Sequence, residues 1–593
     1  MSRRRLCFEF FLLLLAGSCA FFLDGASAGD LDGAKLQIER NGQVEKYTLV
    51  AEPAPPPPPP PPPATQPTTQ PTTEPAPPPP PATIKVTGPL TGPAPLAVFV
   101  HGVDTPLSRG LPQTALYLWD FGDVGSKYNL LEGFNAAHIY DKPGSYTIAL
   151  TVIDPAGVIR RASVGVVVGA DTRPVVYATS QAEFLSRVNG LADNTVLELR
   201  GGQTYNLPLT FTRLSKVGVV IRSRPGTGRA WIAKPGAQYN VIGIDQDKSR
   251  SVLIESIGID GGGRDGIALG GVAVAVRDVE LKNTSYALQM EGRTAGALVQ
   301  DCSSISNQYF AWLRGSDNVI LGNRGQSLTQ HAVRGAISRA NISQNWLKAR
   351  SCIWGLAGEH LYVHRNTLVD GSAGFNPTWG TAADLPEHRS LYGVWDHNIF
   401  EGGKLVLNHG CAHQRVTDNV FRITHEAGVQ LVGYSTQAKR GIDDLQIKNN
   451  TVVVDTRVTK NADGTTKIEN SGAFLWLIGD AKNAIAPEAT NVTVENNLLI
   501  APKIDSGMSG GIVTFDQALK SFTRIDGNVW AVNPAWLPRL GYAWPTWYDA
   551  KGNYPLDRWN ALPMVGDDAI GPAPTTSGAV NIVVNGRVVG ARD

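Results

Sequence analysis

The residues best suited to chemistry lie in a short run, Gln330-His331-Ala332-Val333-Arg334, followed by Lys348 and Arg350. A guanidinium neutralises a carboxylate, and an uncharged imidazole or amine removes a proton beside it. Fixed positive charge then stabilises the enolate-like state that forms. Similar residue types recur before and after this run, as Gln289, Glu291, Trp312, Arg314, Trp354, Trp379 and His409. Such a recurrence carries meaning only if the backbone itself repeats.

The backbone does repeat. Ser256, Asp278, Asp301, Asn323, Asn345 and Asn366 stand 21 to 23 residues apart, and the series continues at wider spacing as Asn398, Asn419, Asn450, Asn497 and Asn528. A period near 22 with short apolar runs and a recurring turn residue predicts a solenoid whose units bury their apolar faces only by stacking. Wider spacings predict loops inserted on a constant coil. In most coils a strand ends in glycine about ten residues before the marker, at Gly292, Gly315, Gly335, Gly355, Gly380 and Gly410. The residues two before these glycines (Met290, Leu313, Val333, Ile353, Thr378 and Asn408) are mostly large and apolar, so that column faces inward. Strand side chains alternate, so the residues one before must face outward: Glu291, Arg314, Arg334, Trp354, Trp379 and His409, with Gln289 and Trp312 beside them. Coils stacked about 4.8 Å apart would line these six along a groove of about 25 Å. Tryptophans at that pitch stack on sugar rings, and arginines pair with carboxylates or sulfates. Glu291 or Asp265 offers a place for calcium, although no dense carboxylate cluster accompanies them.

Of the 593 residues, 53 are Lys or Arg and 52 Asp or Glu, a net charge of +1 without a long basic run. That balance excludes a typical nucleic-acid binder, because duplex affinity requires clustered positive charge. The N-terminus carries Arg3, Arg4 and Arg5, then the apolar run from Phe10 to Ala16, then Ala26-Ser27-Ala28, which is the order of a secretory signal over residues 1–28. Anchoring at Cys19 is the alternative. The expected location is secreted, cell-surface or periplasmic, and the mature chain is expected to be a monomer that spans no membrane. Cys302, Cys352 and Cys411 are too few and too dispersed for a disulfide framework and read as small buried hydrophobes. Residues 29–51 contain a hairpin signal at Asn41-Gly42, and residues 52–83 form a proline-rich spacer with nine consecutive prolines from Pro55. In the segment 84–170 strand-like alternation surrounds Trp119-Asp120-Phe121-Gly122-Asp123 and the run His138 to Tyr146. Residues 171–535 hold the repeats, opened by a capping box at Ser180-Gln181-Ala182-Glu183, and 536–593 lack them and read as a C-terminal cap.

Two resemblances follow from these motifs. Residues 84–170 resemble the PKD domain, an immunoglobulin-like β-sandwich of extracellular proteins, which implies an all-β fold with Trp119 and Phe121 in its core. The repeats resemble the right-handed parallel β-helix of pectate lyases and their relatives, with three strands per coil and an internal Asn ladder. That likeness implies a polysaccharide partner, an acidic one given the arginines, and places the active site on the strand carrying the outward column. The chondroitinase B and alginate lyase family uses a Lys and an Arg on neighbouring coils. For uronate elimination Arg314 and Arg334 would neutralise the carboxylate and Lys348, His331 or His409 would act as the base, the resemblance pointing to Lys348 and Arg334, while Gln330 and Arg350 join the aromatic residues in binding. Here Leu347-Lys348-Ala349-Arg350 stands in place of that family's Lys-Ser-Ser pattern, and Asn408 in place of its Arg before His-Gly. Val394-Trp395-Asp396-His397 resembles a pectate lyase motif but ends on a marker Asn and belongs to another strand. The reading is β-elimination on a uronate glycan, with a non-catalytic glycan-binding surface protein and a glycoside hydrolase as alternatives.

Overall fold

The computed structural model describes the strands Ala20–Asp24, Lys35–Arg40 and Gln43–Thr48, then residues 79–591 apart from 376–388, 433–440, 456, 461–463, 470–471, 479–488, 502–509, 515, 533–540, 544–552, 555–559, 567, 570–580 and 585–586. The first three strands form an antiparallel sheet in a unit of their own, in which the pair Arg40 and Gln43 flanks the Asn41-Gly42 turn signal. The charged, apolar and small-residue segments of the export signal, the spacer up to residue 78, Trp379, Trp544, Trp547 and Trp559 lie outside the described residues. No described helix is long and apolar enough to cross a membrane.

Residues 174–532 wind into a parallel β-helix of three stacked sheets. In one full coil Ala295–Gln300 belongs to the first sheet and the start of Ser303–Leu313 to the second. After a bend, Tyr309 to Leu313 belong to the third. The first is called here the flank sheet, the second the back sheet and the third the groove sheet. The helix Gln181–Asn189 closes the N-terminal end by burying Phe184 and Val188 against Tyr205, with Leu185 partly covered. Its capping differs from a reciprocal box. Ser180 Oγ accepts from Glu183 N at 3.3 Å, but the Glu183 carboxylate takes its 2.7 Å bond from the Thr179 amide, one residue earlier.

An asparagine ladder marks the turn between flank and back sheets. Asn323 Nδ2 donates to Asn345 Oδ1 at 2.9 Å, Asn345 to Asn366 at 2.9 Å and Asn366 to Asn398 at 2.9 Å. The series runs on through Asn419, Asn450 and Asn497 to Asn528, which donates to Asp568 at 2.9 Å. Each Oδ1 also accepts the backbone N–H of the preceding rung, and each Nδ2 also reaches a backbone carbonyl, as Asn345 does at Ile320. The buried amides are thereby satisfied.

The ladder corrects the sequence register in its first coils. Ser256, Asp278 and Asp301 are not rungs. They occupy the preceding position, which is left-handed in coil after coil, with φ of 52°, 51° and 52°, as it is at Gln344, Arg365 and His397. The residue in ladder register with Asn323 is Cys302, whose N–H donates to Asn323 Oδ1 at 2.8 Å. Asp and Ser at one position and Asn at the next share turn-forming character, so the spacing does not separate the two columns. The ladder also continues beyond Asn528 through the rung at Asp568, where Val565 and Ala569 bridge to Ile525 and Val529. The 47-residue gap before Asn497 contains the inserted hairpin Arg457–Lys460 and Thr466–Glu469. Cys302, Cys352 and Cys411 are buried free thiols.

Residues 85–169 fold as two facing sheets, one of Lys85–Thr87, Leu96–His101 and Asn135–Tyr140, the other ordered Thr91–Pro93, Ile159–Gly169, Gly144–Ile153, Leu116–Asp120 and Leu130–Glu132. Trp119 and Phe121 are buried in the core, and Asp120 accepts from the Gly122 amide at 2.9 Å, a turn carboxylate as its place in the motif suggests. The sandwich is not a separate body. Phe99 and Phe134 share one apolar cluster with Ala275, Leu298, Val319, Leu321, Tyr362 and Val394 of the flank sheet. Tyr128 donates to Asp301 at 2.7 Å, and Asn341 Nδ2 bonds the carbonyls of Glu132 and Asn135. Gly133 has φ of 126°, and a Cβ there would stand 2.5 Å from Asn341 Nδ2, so only glycine allows this approach.

Asn366→Ala should cost about 3 kcal/mol or more, because it strands buried groups on both neighbouring rungs; chemical denaturation measures this, with Lys348→Ala as a near-neutral comparison. Phe134→Ala should lower the melting temperature of the sandwich and the β-helix together. A calorimetric scan in which the β-helix transition is unmoved would contradict the shared core.

Candidate functional site

The groove sheet brings together one outward column from consecutive coils. Gln289 pairs with Trp312, Trp312 with Arg334, and Arg334 with Trp354. Three residues earlier in each strand a second column forms: Tyr286, Tyr309, His331 and Ser351. The constant three-residue offset makes the columns meet. Tyr309 lies 5.2 Å from Trp312 and 4.7 Å from Tyr286, centroid to centroid, and the His331 ring stacks on Trp354 at 5.8 Å with only 3° between planes.

Arg334 is held by this surface. Its Nη1 donates to Tyr309 Oη at 2.7 Å, and its guanidinium lies 5.3 Å from the Trp312 ring centre. Tyr309 in turn donates to Gln330 Oε1 at 2.6 Å. Arg314 covers the same Trp312 at 5.2 Å. Arg334, Arg314 and Arg350 have no carboxylate partner among the described residues, whereas Arg213, Arg293 and Arg339 on adjacent surfaces are each paired. Of these arginines, Arg334 and Arg350 act on His331. Burial, with Arg334 and Arg350 adding to it, pushes its imidazole down to about 4. It is a neutral proton acceptor at pH 7, and its buried Nδ1 makes no hydrogen bond.

Beyond Gln289 the column opens into a cleft of about 620 Å³ lined by Arg213, Lys234, Tyr239, Asp265, Gln289 and Glu291, among others. Glu291 is paired with Arg213 at 2.8 Å. Asp265 faces the same cleft, and burial raises its carboxyl above the ordinary range. The sequence shows a single carboxylate in the outward column, but the fold supplies two to one cleft, because Asp265 belongs to the preceding coil. One oxygen of Glu291, the residue that with Asp265 offers a place for calcium, is thus taken by Arg213.

Several column assignments change. Glu291 and Arg314 lie two residues beyond Gln289 and Trp312, in the turn that follows the strand, so they are not in line with Arg334. The cause is the choice of glycine anchor: Leu313 aligns with Gly335 and Gly355, whereas Gly315 is a turn glycine with φ of 74°. The next column places after Trp354 belong to Gly374 and Val406, not to Trp379 and His409. His409 is buried past the end of Leu405–Asn408, and Trp379 lies outside the described residues. Lys348 ends a back-sheet strand, Trp346–Lys348, where it pairs with Asp370 at 3.0 Å. Arg350, in the turn that follows, is the one whose charge reaches His331. Tyr286, Tyr309 and the column continuation Gln430 and Trp476 escape the sequence reading. The first two carry a usable signal, since Tyr286/Gln289, Tyr309/Trp312 and His331/Arg334 share one offset.

Residues 106–168 match the model of the PKD domain. No curated protein matches the chain. Among solved structures, the catalytic domain of a GH87 α-1,3-glucanase in complex with nigerose is 10% identical with a TM-score of 0.35, covering 74% of this chain and 92% of that one. A PL6 alginate lyase in complex with a trisaccharide is 10% identical, with a TM-score of 0.32 and coverage of 71% and 93%. A family 28 exopolygalacturonase from Yersinia enterocolitica is 9% identical, with a TM-score of 0.29 and coverage of 83% and 98%. Strand pairing and the sandwich match together identify the chain as a right-handed parallel β-helix protein that carries a PKD domain.

Proposed function

We propose that this protein binds an acidic polysaccharide along the Gln289, Trp312, Arg334 and Trp354 column and cleaves it by β-elimination at His331. The observation that carries the proposal is a neutral histidine stacked on a tryptophan among three arginines without carboxylate partners among the described residues. A uronate carboxylate would neutralise Arg334 and Arg314, whose charge stabilises the enolate-like state. The imidazole takes the proton beside the carboxylate, and the electron pair left behind forms a carbon–carbon double bond as the glycosidic C–O bond breaks. The imidazolium then returns the proton to the departing oxygen. The glycan's other rings stack on Trp312 and Trp354.

A second reading rests on Asp265 and Glu291. A carboxyl with raised pKa in one cleft with a second carboxylate, here paired with an arginine, is the arrangement a glycoside hydrolase needs. The two readings leave different products. Elimination yields an unsaturated uronate that absorbs in the near ultraviolet, whereas hydrolysis yields reducing ends alone.

Incubation with a panel of uronate polymers should produce absorbance and reducing ends together, and Arg334→Ala should lower the rate at least 100-fold. Reducing ends without absorbance, abolished by Asp265→Asn, would establish hydrolysis. Binding without either product would leave a glycan-binding surface protein. The acid limb of kcat/KM should fall near pH 4 and not near the free-imidazole value of about 6.5. The sign follows from the lowered pKa: the folded state disfavours protonated His331, so activity persists at pH 5 and is lost as the pH falls through about 4. The same group withdraws stability as the pH falls from about 6.5 toward 4. Trp354→Ala should weaken retention on an immobilised uronate glycan about tenfold while leaving the melting temperature nearly unchanged.

A further inference from the structure

A second cluster of chemical groups lies on the sandwich-covered side of the β-helix and takes no part in the groove. His364 and Asp396 end successive flank-sheet strands in register, and His397 is the left-handed residue that follows Asp396. His364 and Asp396 are 3% and 4% exposed. Asp396 Oδ2 stands 3.3 Å from His364 Nδ1 and 3.0 Å from His397 Nδ1. Neither imidazole nitrogen is aligned for a hydrogen bond, although both are buried. Two buried nitrogens thus stand close to one carboxylate oxygen without a well-aligned hydrogen bond. The three ligand atoms lie within 4.8 Å of one another. Bonds of about 2.1 Å to a divalent ion place neighbouring ligands about 3.0 Å apart in octahedral and about 3.4 Å apart in tetrahedral geometry, which brackets the two contacts to the oxygen.

From this geometry we infer a binding site for a divalent ion of the zinc class, held by His364 Nδ1, Asp396 Oδ2 and His397 Nδ1. Two imidazoles and one carboxylate suit zinc or a neighbouring transition metal and not calcium, which takes oxygen ligands. The surrounding groups orient the ligands. Thr417 Oγ1 donates to Asp396 Oδ1 at 2.7 Å, turning Oδ2 toward the imidazoles. Glu132 of the sandwich stands 3.6 Å from His364 Nε2, close enough to move in and accept the N–H that a metal-bound imidazole carries on its other nitrogen. Arg365 Nε is 2.8 Å from the same Nε2. An ion on Nδ1 puts the imidazole proton on Nε2, so its binding requires the half-exposed Arg365, 4.0 Å from Glu132, to release that bond. The ion thus joins two coils directly and the sandwich through Glu132.

The test uses the full chain, stripped with chelator and loaded with zinc at pH 7.5. After gel filtration, elemental mass spectrometry should find one zinc per chain, and zinc should raise the melting temperature. His397→Gly keeps the backbone, since glycine holds the equivalent position at Gly322 and Gly527 with φ of 69° and 65°. It should reduce retained zinc below one tenth of an equivalent. Glu132→Gln should weaken zinc affinity 10- to 100-fold, about the range for loss of an outer-shell partner. The inference is overturned if no zinc is retained, if His397→Gly retains as much as the parent chain, or if calcium competes at equal concentration. These outcomes do not depend on glycan binding or cleavage.

Discussion

A buried amide that must find partners above and below sets the terms for this fold. Each ladder asparagine has two donors and two acceptor sites, and inside the coil no water meets them, so the next coil must place its own amide within about 3 Å. That requirement fixes coil against coil to within a fraction of a residue step. A slip of one residue would strand a series of amides and turn every outward side chain into the core. The groove inherits this precision. Trp312, Arg334 and Trp354 stand in line because the ladder on the far turn holds their coils in register, including across insertions such as the hairpin before Asn497.

The flank sheet explains why the sandwich docks where it does. In Val272-Ala273-Val274-Ala275-Val276 both alternating sets are apolar: Val274 and Val276 fill the coil, while Ala273 and Ala275 meet the sandwich. A strand apolar on both faces must be covered on both. The groove sheet has the opposite pattern, apolar inside and aromatic or charged outside. The sandwich therefore covers the flank, and the groove column remains partly accessible. Gly296 on the flank allows the close approach of Phe99, and Gly133 of the sandwich allows that of Asn341 and Tyr362.

Charge pairing divides the surface in a similar way. Along the flank and its margin, arginines meet carboxylates, as Arg277 does with Asp141 and Glu255. Around His331 they meet none among the described residues, and the positive charge is instead spread over aromatic faces, which attract it without neutralising it. Burial, with the proximity of Arg334 and Arg350 adding to it, keeps His331 uncharged. The same residues thereby provide both attraction for an anion and a free base.

The fold class was legible in the chain because its causes are local or strictly periodic. Asn323 through Asn528 declare the coil by repetition, and Trp119-Asp120-Phe121-Gly122-Asp123 declares the sandwich by its own core and turn residues. Arg334, Trp312, Trp354 and Gln289 were legible as one surface for the same reason. Tertiary structure decided what depends on where a strand ends. Gly292 and Gly315 lie two residues beyond the places that align with Gly335, so Glu291 and Arg314 left the column, and Lys348, expected in a turn, ends a back-sheet strand. It decided equally the meetings between distant segments: Asp265 with Glu291 in one cleft, Tyr309 with Arg334, and Glu132 with His364. The physical reason is that periodicity reports which way a side chain points relative to its own strand. Its neighbours on the next coil, or on another domain, follow from turn geometry and packing, to which residues far apart in sequence contribute.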